Sequence, residues 1–93
     1  MQNIDLEKED FITNRKWQEF DPSQETDLFK LKLKKAWLTK VSTIMNNQLD
    51  DAELKGGYDE NWFVSCSKSV RWAEGLKDEA DAYIYKMENE NGR

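Results

Sequence analysis

Asn61-Trp-Phe-Val-Ser-Cys-Ser-Lys-Ser-Val-Arg-Trp-Ala-Glu-Gly-Leu-Lys-Asp-Glu-Ala-Asp-Ala-Tyr-Ile-Tyr-Lys-Met87 is the stretch whose reading decides the fold. Taken at three-to-four spacing, Phe63, Cys66, Val70, Ala73, Ala80, Ile84 and Met87 form one apolar stripe, interrupted at Lys77, where Leu76 lies beside it. A stripe of that period marks an amphipathic helix. Asp59 or Asn61 can cap its start by accepting from the first free backbone N–H groups. Gly75 weakens the interior by about 1 kcal/mol relative to alanine. A competing pattern is confined to its first turn. Trp62, Val64 and Cys66 alternate, so a short strand over 61–66 is the alternative, and it would make the fold α+β.

Reading back toward the N-terminus, Gly56-Gly57 ends what looks like a short helical turn over 50–55. Further back, Asp21-Pro22-Ser23-Gln24 reads as a helix start, because aspartate caps, proline suits the first helical position and glutamine can reach back to the cap. No glycine or proline interrupts the chain from there to Gln48. Phe29, Leu33, Ala36, Trp37, Val41, Ile44 and Met45 recur at helical spacing, which predicts a helix over 22–48, roughly 40 Å long at 1.5 Å per residue. Phe29-Lys-Leu-Lys-Leu33 alternates as a strand would, but leucine and lysine favour helix and the stripe continues past it. Residues 1–20 carry Ile4, Phe11, Ile12, Trp17 and Phe20 at weak spacing, which suits a short helical arm packing its aromatics on the rest.

These elements predict a single all-α domain over 1–93: an antiparallel pair of long helices, 22–48 and 60–88, joined at Gly56-Gly57 and closed on one side by the arm. Two helices alone leave apolar stripe uncovered. The expectation is that the arm, a second copy or a partner supplies the missing layer.

Bulk composition bounds the function. Ninety-three residues make one thin-cored domain, burying a little over ~60% of the surface of the unfolded chain. Four Trp, four Phe and three Tyr compensate in part. The net charge of −5 disfavours bare nucleic acid and anionic membrane as partners. Charge is segregated, with Lys30, Lys32, Lys34, Lys35 and Lys40 in the middle and Glu74, Asp78, Glu79, Asp81, Glu88 and Glu90 toward the end. The simplest expectation is that these two segments neutralise each other within the fold. Cys66 is the sole cysteine, so there is no disulfide framework. The opening residues lack the basic start and apolar stretch of a secretion signal, and no apolar run reaches the ~18 residues that span a bilayer. A reducing, cytoplasmic setting is expected.

Several chemistries have no residues to carry them. The chain has no histidine, the commonest general base and metal ligand. Asp51–Trp62 has Gly56 at the sixth place of a cation loop, but Glu53 and Lys55 stand third and fifth and Trp62 stands where a bidentate Glu is required. Gly56-Gly57 lacks the Lys-Ser or Lys-Thr that would make it a phosphate cradle. The chain is therefore expected to have no catalytic activity, cofactor, metal or small-molecule substrate.

What the sequence offers instead is surface. Glu74, Asp78, Asp81 and Tyr85 fall at helical spacing on one face, and Trp72 lies off the centre of the apolar stripe as an interface anchor. These five are the candidate partner-binding residues. Lys30, Lys34 and Lys35 lack the interleaved aromatics of a nucleic-acid platform. Small inhibitors encoded by phages and mobile elements share this compact, aromatic-rich, unevenly charged profile. The leading expectation is thus a small inhibitor or adaptor, of anti-defence type, that binds a larger cytoplasmic protein complex. The alternative is a homo-oligomeric structural component of a larger particle.

Overall fold

A computed structural model describes residues 4–91, and the first three residues of the arm and the last two of the chain lie outside it. Three α-helices, α1 (Ile4–Ile12), α2 (Leu28–Lys55) and α3 (Glu60–Asn91), are joined by two short 3-10 turns, Lys16–Glu19 and Pro22–Gln24, and by the Gly56-Gly57 bend. There is no strand among the described residues; 61–66, where the alternation suggested one, is the first part of α3. Asp59 settles that local choice, accepting at Oδ1 from the backbone N–H of Asn61 (2.7 Å) and Trp62 (3.2 Å).

Three boundaries differ from the sequence reading, the smallest being that α3 runs on to Asn91, past the expected end at 88. Asp21 does cap, accepting from Ser23 N–H at 3.0 Å, but what it caps is the Pro22–Gln24 turn. Pro22 is buried and Phe20 packs against the cluster of Leu31, Ala80 and Ile84, so the chain must cross α3 before it can turn into α2. Extended backbone from Glu25 leads to Asp27, whose Oδ1 accepts from Phe29 N–H (2.9 Å) and Lys30 N–H (3.3 Å) and starts α2 at Leu28. At the other end, α2 continues unbroken through 50–55 to Lys55, because nothing between Gln48 and Lys55 breaks a helix and Leu49 is buried on the seam. Gly56 (φ 69°) and Gly57 (φ 70°) then occupy the left-handed region that only glycine adopts freely, and Gly56 N–H donates to Ala52 O at 2.8 Å. Asp27→Ala is expected to cost about 1 kcal/mol by leaving two first-turn donors without their cap, whereas Asp21→Ala should leave α2 itself intact; thermal melts of the two variants check this.

The two long helices run antiparallel, as Lys35–Asp81, Lys32–Glu88 and the Cys66–Met45 contact require. Their seam is built from Leu31, Leu38, Val41, Ser42 and Leu49 of α2 against Val70, Ala73, Ala80 and Ile84 of α3. Ala73 and Ala80, both wholly buried, sit seven residues apart and let the backbones approach closely. Ser42 is the one buried polar side chain among the described residues, and its hydroxyl donates to Thr39 O at 3.0 Å. The stripe expected on α2 is therefore displaced. Phe29 is 64% exposed, Ala36 and Ile44 are exposed, and Leu31 and Leu38, wholly buried, take the central places.

The arm lies across one side of this pair. Phe11 of α1 packs between Trp37 (ring centroids 5.5 Å apart) and Phe20 (5.7 Å), and Trp17, buried in the first 3-10 turn, meets Trp72 of α3 edge-to-face at 5.2 Å. Lys34, held over the Phe20 ring and paired with Glu25 at 3.0 Å, fastens the extended link to α2. The cover stops there: between residues 43 and 69, Leu49 is the one buried residue. The closed half of the hairpin is two helices thick and the open half is three layers. No described helix is long and apolar enough to cross a membrane.

Candidate protein-binding surface

At 100° per residue, Glu74, Asp78, Asp81 and Tyr85 lie within about 60° of one another around α3, and all four are exposed. Tyr85 is 72% exposed, whereas its neighbour Tyr83 is half-buried beside Ile84. Trp72 does not belong with them. Two residues from Glu74, it sits about 160° away around the helix, on the side crossed by the arm. There it is 47% exposed, with one edge covered by Trp17. Four of the five expected residues thus share a face, and the fifth lies on the other flank.

The segregated charges meet in part, through two of the five lysines. Lys35 reaches Asp81 at 2.5 Å and Lys32 reaches Glu88 at 2.7 Å, each spanning the helix pair. At their exposure such ion pairs contribute about 0–1 kcal/mol apiece, so their main effect is to neutralise part of the acidic face. Glu74 and Asp78 make no ion pair among the described residues and keep the face acidic toward the middle of α3.

The sequence reading missed the closed end of the hairpin. Leu54 (88% exposed), Val64, Trp62 and Tyr58 all project into solvent within a few turns of Gly56-Gly57. Tyr58 stacks on Phe63 at 4.7 Å, and Trp62 meets the same ring edge-on at 6.4 Å, so the aromatics form one cluster. Around it stand Asp50, Asp51, Glu53, Asp59 and Glu60, all exposed, and Lys55, which is tied to Asp51 at 3.1 Å. The signal was present in the sequence as large apolar residues off the stripe on both sides of a diglycine turn. Spacing places Phe63 on the stripe, Trp62 on the alternative strand, Leu54 in the short turn over 50–55 and Tyr58 in the connection after it.

Where the arm ends, it leaves a cleft of about 480 Å³ between the Ile12–Gln18 segment, α2 from Val41 to Gln48 and α3 from Trp62 to Ser69. Arg15 holds its mouth in a left-handed conformation (φ 60°, ψ 27°), the one positive φ outside glycine among the described residues. Cys66 is half-buried in its wall, with Sγ 3.9 Å from Met45 O. Burial pushes the Cys66 thiol above its ordinary range, and the Arg15 charge pulls it partly back. The described residues include no group of three or more His, Cys, Asp or Glu placed to hold a metal ion.

Comparison with protein-family models, curated proteins and solved structures finds no match.

Proposed function

We propose that this chain is a non-catalytic protein-binding module, a small cytoplasmic inhibitor or adaptor that engages a larger protein through the closed end of its hairpin. The observation that carries this reading is the pair of exposed aromatics Tyr58 and Trp62, packed on the half-buried Phe63 ring and standing beside exposed Leu54 and Val64. Trp and Tyr anchors of this kind supply most of the binding energy at protein interfaces, and exposed apolar patches with a polar rim are where partners dock. The acidic rim asks for a partner with an apolar groove bordered by basic residues. It also sets one net-negative rim against another in any end-to-end contact between copies, Lys55 offsetting only Asp51, which counts against self-assembly through this end.

The homo-oligomeric reading keeps one supporting observation. The two-helix-thick half could gain its third layer by packing side-on against another copy, and sedimentation of the pure chain tests that directly. The partner-binding reading is tested by recovering tagged protein from a nuclease-treated lysate and measuring the affinity of the captured partner for variants. Tyr58→Ala with Trp62→Ala is expected to weaken binding by about 30-fold or more, as loss of a 2 kcal/mol anchor would. Glu74→Lys with Asp78→Lys tests the acidic face separately. Unchanged affinity in the aromatic variant, with loss in the charge-reversed one, would move the site to the face of Glu74, Asp78, Asp81 and Tyr85.

A further inference from the structure

We infer that the cleft beneath the arm is a binding site for a small carboxylate with an apolar body, a function beyond docking at the hairpin end, with which the cleft shares Trp62. Its volume, about 480 Å³, lies within the roughly 300–1,000 Å³ typical of small-ligand sites. Its lining sets the ligand's chemistry. In a chain with 19 acidic residues, no acidic residue lines this cleft, and Arg15 is its one charged residue. Arg15 makes no ion pair among the described residues.

Two further features suit one anion with an apolar tail. Ile44, Met45 and Trp62 line the cleft and offer apolar and aromatic contact, and the exposure of Ile44 and Trp62 in the free protein leaves surface for a ligand to cover. Ser65 and Ser69 are one helical turn apart on α3 and both line the cleft, so two hydroxyls can donate to an oxyanion that Arg15 neutralises. A dication would find no carboxylate in the lining, and a neutral ligand, polar or apolar, would leave the Arg15 charge unused.

Phenylbutyrate is the probe, with its neutral amide as the matched control. Titration followed by backbone amide shifts is expected to move Arg15, Ser65, Cys66 and Ser69 saturably. The neutral amide, or Arg15→Asn with the acid, should bind about tenfold or more weakly, the size of one lost charge-assisted hydrogen bond. Asparagine tolerates the left-handed backbone, so that variant removes charge without straining the turn, and Arg15→Lys should recover most of the affinity. The bound acid should also slow alkylation of Cys66 by a maleimide. The proposal is overturned if acid and amide bind alike, if Arg15→Asn leaves the affinity unchanged, or if the shifts cluster around Tyr58 instead of the cleft.

Discussion

A Leu38→Ala chain is expected to lose about 3–5 kcal/mol of stability, the range for truncating a fully buried leucine whose surroundings cannot collapse into the gap. Leu38 is wholly buried at the middle of the seam, where α2 faces α3 and the arm's cluster at once. Small domains hold on the order of 5–10 kcal/mol in total, so this one methyl-rich side chain accounts for a large share of the margin. The melting temperature should fall by about 12–40 °C, and urea unfolding followed by circular dichroism would give the free energy directly. The wholly buried Ala73 and Ala80 opposite have no side chain to move into the space. A loss below about 1 kcal/mol would mean that the seam is not packed through Leu38.

Trp17→Ala should cost a similar amount, about 3–5 kcal/mol, but with a different signature. Trp17 is 2% exposed and joins the arm to Trp72 on α3. Its loss is expected to free the arm before the helix pair unfolds, so the amides of Thr13, Gln18 and Phe20, bonded within the arm, should exchange faster while those at the seam keep more of their protection. The cleft would lose a wall at the same time. In the native protein the raised thiol pKa and half-burial of Cys66 should make maleimide labelling slow at neutral pH, and Trp17→Ala should speed it severalfold. Unchanged arm exchange together with an unchanged labelling rate would show that Trp17 does not hold the arm down.

What was legible in the sequence follows from how many neighbours each helix has. α3 buries one main stripe, and Val70, Ala73, Ala80 and Ile84 were readable from spacing alone. α2 has two neighbours, α3 on one side and the arm on another, so its apolar residues spread over a wide arc. A single-stripe reading then followed Phe29 and Ala36, which face away, and Ile44, which lines the cleft, and passed over Leu31, Leu38 and Leu49. Lysines alternating with Leu31 and Leu33 removed the contrast that would have corrected it. Of the candidate site, the shared face of Glu74, Asp78, Asp81 and Tyr85 is periodic and could be read. At the hairpin end the large apolar residues off the stripe were visible, but not their exposure, because spacing carries no information about where a third layer ends.

The seam of α3 alternates steps of three and four from Phe63 to Met87, a seven-residue repeat with Lys77 filling the place between Ala73 and Ala80. A repeat makes length a free parameter. Seven residues added to each helix beyond the reach of the arm would carry the aromatic end about 10 Å further out and turn it by only some 20° relative to the seam. Seven removed would draw it in by the same distance. Grip and reach are thus separate modules in this small chain: one half fixes the hairpin, and the other can be extended or shortened like a ruler with the fastening untouched.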